Sequence, residues 1–197
     1  MKNIIKTKFY PSLEIDNDEI FRYAGCKNPS QDVICLLNQT LCEIKDKFAY
    51  KVCYSLLPLK IDKDICDFHF FSVKSEDLAN SLKECKMALV FAATLGTEID
   101  RQISKYSRIS PSKALMLDAI GSAQIEKLCD VFLEEMKHEL GGKLTVRFSS
   151  GYGDLPLESQ NEIFAALNPF KNIGLSITDS FIMTPSKSVT AFVGIKK

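Results

Sequence analysis

The segment Arg147-Phe148-Ser149-Ser150-Gly151-Tyr152-Gly153-Asp154-Leu155-Pro156 is the most informative stretch of the chain. It begins with a permanent cation, carries an aromatic ring between two glycines and ends at a proline. A run typical of a β-strand, 143–146, precedes it, and a run typical of a helix, 158–167, follows it. Two glycines two positions apart let the backbone turn tightly and come close to another group. The segment therefore predicts a strand, a tight polar loop and a helix.

The side chains of this loop suit a ligand that has both a carboxylate and a flat ring. Arg147 offers a planar fork of N–H donors that fits a carboxylate or a phosphate. Tyr152 offers a flat apolar face with a polar tip, which suits a base. S-adenosylmethionine has this combination of groups. Two other interpretations stay open. Gly-Tyr-Gly-Asp is also a common composition for a turn, and Arg147 could pair with a structural carboxylate.

The composition is that of one soluble domain spanning residues 1–197. Hydrophobic residues make up 46% of the chain and charged residues 25%, so a core can form without disulfides or metals. The 25 basic and 25 acidic residues cancel, which argues against nucleic-acid or membrane-surface partners. No apolar run of about 18 residues exists, and the start lacks a signal-peptide core. We therefore expect a cytoplasmic protein without a membrane span.

The cysteines and histidines predict neither a metal site nor a catalytic one. The two closest cysteines, Cys35 and Cys42, are seven positions apart. Most of the seven lie in apolar patterns, and they are expected to be reduced, buried thiols. His69 and His138 have no companions at metal-ligand spacing, so no metal is expected. No serine or cysteine has an evident histidine–aspartate relay, and both the phosphate loop and the dinucleotide fingerprint are missing, so we assign no catalytic residue.

Hydrophobic periodicity predicts an α+β fold with a mainly antiparallel sheet and flanking helices. Residues 50–61 and 65–73 are expected to pair through the link 62–64, and the apolar run 87–95 to form a central strand. Ser110-Pro111 begins a long helix that extends to Leu140. Alternation at 173–177 and at 189–195 predicts two more strands. Gly121 lies inside the long helix at a cost of about 1 kcal/mol relative to alanine, which a close backbone contact would explain.

Four blocks of sequence together resemble the activation (reactivation) domain of cobalamin-dependent methionine synthase. The pattern Arg147-x-x-x-Gly151-Tyr152, followed by Gly-Asp-Leu-Pro, resembles the S-adenosylmethionine loop of that domain. The other blocks follow the family order, and with the loop they lie between residues 90 and 195: Phe91-Ala92-Ala93-Thr94-Leu95-Gly96, Asp118-Ala119-Ile120-Gly121-Ser122 with Glu126, and Met183-Thr184-Pro185-Ser186-Lys187-Ser188-Val189.

The resemblance implies a protein that binds S-adenosylmethionine. In that family a flavodoxin-type donor supplies one electron to inactive cob(II)alamin, and S-adenosylmethionine supplies the methyl that restores methylcobalamin. By resemblance, Arg147 contacts the methionine carboxylate. Ser149, Gly151 and Tyr152 form the loop that presents backbone and ring to the adenosine. Glu126 is the candidate for the acidic side near the cationic sulfonium, with a solvated helix face as its alternative.

The turn before the last strand is the candidate rim toward cobalamin or a partner. Its hydroxyls and amine could meet the amide side chains of a corrin: Thr184, Ser186, Lys187 and Ser188. A plain turn between two strands is the alternative interpretation of this segment.

The chain departs from the family pattern in three respects. Ser150 stands where the family usually has proline. The chain ends at Lys197, soon after its last expected strand, without the extension that contributes tyrosine contacts in the family. An acidic ligand contact that precedes the core of the domain has no clear match. We therefore expect weaker or rearranged ligand binding.

The sequence also lacks the Asp-x-His-x-x-Gly cobalamin loop and the zinc-thiolate site of full-length synthases. The resemblance therefore predicts a stand-alone activation subunit, which serves methionine biosynthesis by acting on a cobalamin-bearing methionine synthase. A reactivation or binding module for another corrinoid methyltransferase is the first alternative. A globular protein whose glycine loop only turns the chain is the second.

Overall fold

The structure is a computed structural model that describes residues 3–196. Within that range the strands are β1 (Lys6–Tyr10), β2 (Tyr50–Pro58), β3 (Lys60–Asp62), β4 (Ile65–Asp67), β5 (Ser72–Lys74), β6 (Met87–Thr94), β7 (Lys143–Leu144), β8 (Ser176–Ile177), β9 (Met183–Thr184) and β10 (Ser188–Lys196). The helices are α1 (Asn17–Tyr23), α2 (Gln31–Ile44), α3 (Glu76–Leu82), α4 (Glu98–Tyr106), α5 (Pro111–Leu140), α6 (Gln160–Leu167) and α7 (Pro169–Ile173), with short 3-10 turns at Lys45–Lys47 and Leu157–Ser159.

A five-stranded antiparallel sheet in the order β1-β2-β6-β10-β7 forms the middle of the molecule. β6 lies at its centre because its residues are apolar toward both faces, and all of them from Ala88 to Thr94 are buried. Phe91 of β6 lies opposite Tyr54 of β2 and Ala191 of β10. The predicted α+β fold, the antiparallel sheet and the central strand at 87–95 are confirmed.

Helices cover both faces of this sheet. On one face α5 packs apolar residues such as Phe132 against the strands, and the rings of Phe132 and Phe91 lie 5.1 Å apart. On the other face α3, α6 and α7 enclose a second core around Phe192. A third cluster joins α1, α2 and α4 to the first half of α5. The long helix thus contributes to two of these three clusters, the one against the sheet and the one with α1, α2 and α4.

The long helix has the predicted bounds. Pro111 occupies its first turn, and Gly141 follows its last residue in the left-handed conformation with φ 61°. At Gly121 a Cβ atom would lie 2.9 Å from Cγ of Lys187 and 3.1 Å from Cγ1 of Ile99. The close contact at this glycine comes from two side chains, and it allows Lys187 to lie across the helix.

The pairing predicted for residues 50–61 and 65–73 is confirmed only beside the link 62–64 and is wrong for residues 50–58. The link 62–64 does form a hairpin, but it joins β3 to β4, and these two strands form a separate three-stranded sheet with β5. β2 instead pairs with β1 and β6. Pro58 ends β2, which is consistent with its lack of an N–H group for a sheet hydrogen bond.

Two further predictions need correction. Residues 173–177 do not form one strand, because Asn168 caps α7 and the helix extends through Ile173. The seven cysteines are all unpaired, as expected, but only four are buried, while Cys26 is half-buried and Cys35 and Cys42 are exposed on α2. A spacing of seven puts Cys35 and Cys42 two helical turns apart on one face, and that face points to solvent.

Candidate functional site

The glycine loop leaves the sheet at Phe148. β7 covers only Lys143–Leu144, but Phe148 exchanges two backbone hydrogen bonds with Phe192 of β10, which keeps the chain beside the sheet up to that point. Gly151 and Gly153 follow with φ angles of 84° and 54°, in the left-handed region that favours glycine. A Cβ atom at Gly153 would collide with the carboxylate of Asp77. Both glycines are therefore needed for the path of the turn.

Asp154 fastens this loop to α3. Its carboxylate accepts hydrogen bonds from the Ser75 hydroxyl, from Glu76 N at 2.7 Å and from Asp77 N at 3.2 Å. The Asp154 N–H in turn donates to the Asp77 carboxylate at 3.2 Å. The Ser75 hydroxyl and these amides hold the pKa of the Asp154 carboxyl below its ordinary value. This acidic residue of the loop therefore has a structural role: it accepts from the first two amides of α3, beside the N-cap residue Ser75.

The loop amides are engaged inside the loop. Gly151 N–H donates to Leu155 O at 2.9 Å, and Tyr152 N–H donates to Ser149 O at 3.1 Å. Neither amide is free for a ligand in this conformation. The Tyr152 ring is 72% exposed and makes an edge contact with Phe148 at 6.2 Å between centroids. The ring, in contrast to the amides, is available at the surface.

Arg147 and Glu126 lie in direct contact. Nη2 of Arg147 is 2.5 Å from Oε2 of Glu126 and 3.7 Å from Oδ1 of Asp130, and the Arg147 side chain is only 23% exposed. The thiol of Cys129 lies beside the guanidinium, and burial raises its pKa to about 12. Two of the residues selected from the sequence thus form one partly buried ion pair between the loop and α5.

An acidic cleft of about 210 Å³ opens beside this pair. Its lining comes from the segment around α1 and from one side of α5: Glu14, Asp16, Glu19, Ala123, Gln124, Glu126, Lys127 and Asp130. Lys127 is the one basic residue in this lining, and it pairs with Glu14 at 2.9 Å. Five carboxylates in one concave surface attract a cation more than an anion.

Four of these carboxylates were not candidates from the sequence: Glu14, Asp16, Glu19 and Asp130. Asp16 caps α1, because its carboxylate accepts hydrogen bonds from Asp18 N and Glu19 N. What places it at the cleft is the packing of α1 against α5, supported by the buried amide of Gln124, which donates to Glu14 O at 3.2 Å. An acidic contact before the core of the domain had no clear match in the sequence, and Glu14, Asp16 and Glu19 are the acidic residues that the fold brings there.

Similarity to known proteins is found in the structure and not in the sequence. The sequence matches no protein-family model and no curated protein. Among solved structures, the "Crystal Structure of the MetH Reactivation Domain bound to AdoHcy" matches with a TM-score of 0.72 over 96% of this chain and 78% of that chain. This chain has the fold of the MetH reactivation domain. The two sequences are 13% identical, so what they share is the fold.

The four residues expected to form a rim differ in exposure and in hydrogen-bond partners. Thr184 is exposed, and Ser186 donates from its N–H and hydroxyl to Asp100 at 2.7 and 2.6 Å. Lys187 is 13% exposed and bonds to Asp118 at 2.7 Å and to the Ser122 hydroxyl at 2.9 Å.

Ser188 does not fit the expectation of a surface rim. It is buried because it begins β10 opposite Thr94, whose hydroxyl accepts its hydrogen bond at 2.8 Å. The expected rim is thereby reduced to Thr184 and Ser186, because Lys187 already bonds to α5.

The described residues contain no cluster suited to a metal ion. Between residues 3 and 196, no group of three or more histidine, cysteine, aspartate or glutamate side chains has the required arrangement. Over the same range, none of the helices combines the length and apolar composition that a membrane span requires.

Proposed function

We propose that this chain binds S-adenosylmethionine in the cleft beside the Arg147–Glu126 pair and serves as a reactivation subunit for a cobalamin-dependent methionine synthase. One observation carries the proposal: a partly buried arginine at the start of a glycine loop pairs with Glu126, which lines an acidic cleft. The fold adds support, since the similar solved domain is described as bound to AdoHcy, which is S-adenosylhomocysteine.

The residues present fit the charges of the proposed ligand. S-adenosylmethionine has one carboxylate, one ammonium and one sulfonium, so it needs a cation on one side and carboxylates on the other. Arg147 matches the first requirement, and Glu126 with the other cleft carboxylates matches the second. The ring of Tyr152 is exposed but does not line the cleft, so stacking on the adenine requires a ligand that extends from the cleft to the loop. The cleft volume of about 210 Å³ is smaller than the roughly 300–1,000 Å³ typical of ligand pockets, so only part of the ligand would lie in the cleft.

Ligand binding requires the ion pair to rearrange. Nη2 of Arg147 already contacts Glu126, so a ligand carboxylate that needs the same nitrogen has to share or replace that contact. Because Glu126 can turn to the ammonium or sulfonium of the same ligand, each charge keeps an opposite partner throughout the exchange. The desolvation penalty of leaving a half-buried charge unpaired is thereby avoided.

The chain itself supplies binding and orientation. S-adenosylmethionine supplies a methyl group on a sulfonium when it is bound. Cys129, beside Arg147, stays protonated at neutral pH because burial raises its pKa to about 12, so it does not serve as the acceptor. We propose that the acceptor is cobalamin on a partner chain and that a flavodoxin-type protein supplies the electron. A module for another corrinoid methyltransferase would use the same cleft with a different partner.

A reconstitution experiment tests this function. The purified chain is combined with S-adenosylmethionine, a cobalamin-loaded methionine synthase that lacks its own reactivation domain, and reduced flavodoxin. We expect methylcobalamin, followed by its absorbance, only in the complete mixture and not with Arg147→Ala. Lys171→Ala, which removes an exposed cation on α7, is the matched control and should behave as wild type. Sustained methyl transfer to a small molecule by the chain alone would refute the proposal.

A further inference from the structure

Three lysines lie in one row across the end of the central sheet. Lys196, at the end of β10, is the register partner of Lys143 in β7. On the other side of β10, the pairing with β6 ends at Ile195 and Met87. One residue further along both strands, Lys196 comes opposite Lys86, whose carbonyl accepts a hydrogen bond at 3.0 Å from the amide that follows β2. Because opposite residues of antiparallel strands project from the same face, the three lysine side chains are neighbours, and we call them the lysine row.

The lysine row carries more positive charge than its acidic neighbour balances. Oε2 of Glu84 lies 2.5 Å from Nζ of Lys196. Lys86 and Lys143 are exposed, and neither belongs to an ion pair among residues 3–196. Like charges directly opposite each other on neighbouring strands destabilise a sheet. Within the described part of the chain, two of the three ammonium groups in the row therefore have no counter-charge.

Two cavities adjoin the lysine row. One has a volume of about 590 Å³ and is lined by Glu84, Gly141, Gly142, Lys143 and Lys196. The other has a volume of about 320 Å³ and is lined by Glu84, Lys86, Met87 and Ile195. A Cβ atom at Gly142 would lie 2.7 Å from Lys196 O, so the chain passes close to the row without a side chain that covers it. Both volumes are within the range of small-ligand sites, roughly 300–1,000 Å³.

We propose that the lysine row binds a small dianion, namely inorganic phosphate or the phosphate group of a phosphomonoester. The two lysines without an ion pair match the charge of such a group, which is about −1.5 to −2 at pH 7. Each ammonium has three N–H donors, and lysine binds phosphate as a point charge. The apolar side chains of Met87 and Ile195 beside Lys86 suit the organic part of a phosphomonoester. Duplex nucleic acid would need a wider basic surface for its phosphates.

The lysine row is separate from the proposed S-adenosylmethionine site. Gly141, at the end of α5, is about 22 Å from Glu126 along the helix axis, at 1.5 Å per residue. None of the described residues that line the two cavities also lines the acidic cleft. The anion site therefore does not depend on the proposed function, and either proposal can fail without the other.

Calorimetric titration of the full chain with inorganic phosphate and with phenyl phosphate, at constant ionic strength, tests this site. One variant, Lys86→Gln with Lys143→Gln, removes the two lysines that have no ion pair. A second variant, Glu84→Gln, removes the one carboxylate. The matched control, Lys47→Gln with Lys171→Gln, makes the same charge change as the first variant at exposed positions after α2 and in α7. Melting curves without ligand show whether each variant is folded.

We expect saturable binding by wild type and a loss of about tenfold or more in Lys86→Gln with Lys143→Gln. Glu84→Gln should bind phosphate more tightly, because it releases Lys196. The control should bind as wild type, and S-adenosylmethionine affinity should be unchanged throughout. If the lysines only neutralise the C-terminal end of α5, Glu84→Gln will not tighten phosphate binding, and the proposal is overturned.

No saturable binding of either probe to wild type, or an equal loss in the lysine variant and the control, would also overturn the proposal. Binding of phosphatidate vesicles through the lysine row, without binding of either soluble probe, would overturn the choice of a small soluble anion. Tighter binding of phenyl phosphate than of phosphate would identify a phosphomonoester as the ligand, and equal affinities would identify free phosphate.

Discussion

Arg147 connects the glycine loop to the long helix, where it contacts Glu126 and Asp130 of the cleft lining. It contacts Glu126 at 2.5 Å while its side chain is only 23% exposed, so neither charge is fully solvated. Removal of one member would leave the other partly buried without its closest partner, which is more costly than removal of both. Effects of single substitutions at this pair therefore need a comparison between ligands, not one affinity alone.

Glu126→Gln should lower the affinity for S-adenosylmethionine more than the affinity for S-adenosylhomocysteine. The two ligands share the carboxylate and the ammonium, so the release of Arg147 acts equally on both. They differ at sulfur, where only the first carries the positive charge that Glu126 would stabilise. Titration calorimetry of both ligands gives the ratio, and equal losses would place the Glu126 contact elsewhere on the ligand.

Tyr152→Ala should weaken S-adenosylmethionine binding and leave the fold intact. The ring is 72% exposed, so its removal should change the free energy of unfolding by only about 0.5 kcal/mol or less. Tyr152→Phe, which keeps the ring, should retain most of the affinity. A ligand-free melting curve that indicates a loss of about 3–5 kcal/mol would instead identify a buried, structural ring.

Helix α3 positions the glycine loop. Asp154 joins them by accepting hydrogen bonds at the start of that helix. Because the pKa of this carboxyl is lowered in the folded chain, the contact stabilises the fold at pH values above the unfolded pKa of about 3.9. The contribution is lost as the pH falls through the lower, folded pKa.

Asp154→Asn should therefore lower the melting temperature at neutral pH and have progressively less effect in acid. The measurement is the difference in melting temperature between wild type and variant from pH 7 to about pH 3. Asp179→Asn, at an exposed position in another loop, is the control and should show no such trend. A difference that does not depend on pH would indicate that the Asp154 charge contributes nothing to the loop.

The elements that the sequence predicted well are those with strong local signals. The long helix has a proline at its start and glycines at its end. The residues of β6 are apolar toward both faces of the sheet. The strand assigned to 173–177 was wrong because alternation over a few residues cannot be told from a short capped helix. Arg147 and Glu126 were found through residue type and resemblance. Glu14, Asp16 and Glu19 reach the cleft only through the packing of α1 on α5, which no local pattern contains.

Helix α5 contributes residues both to the hydrophobic core of the molecule and to the cleft. Its Phe132 is fully buried, with the rings of Tyr54 and Phe91 at 5.3 and 5.1 Å. Its Glu126 and Asp130 line the cleft beside this contact. Binding at the cleft should therefore stabilise the complete fold and not only the loop.

Phe132→Ala should lower the free energy of unfolding by about 3–5 kcal/mol, because it leaves a cavity between α5 and the sheet. S-adenosylmethionine at one hundred times its dissociation constant should restore about 2.7 kcal/mol by mass action. Denaturant unfolding with and without ligand measures both quantities. A variant that stays folded but gains no stability from saturating ligand would show that the cleft does not bind it.

Calorimetric titration of S-adenosylmethionine into the wild-type chain and Arg147→Ala tests the central claim most directly. We expect binding by wild type and affinity about 10- to 100-fold weaker in the variant, corresponding to roughly 1.5–3 kcal/mol for a hydrogen bond to a charged group. Arg108→Ala should bind as wild type. No binding heat with wild type at several temperatures, or equal affinity of wild type and Arg147→Ala, would contradict the assignment of this cleft.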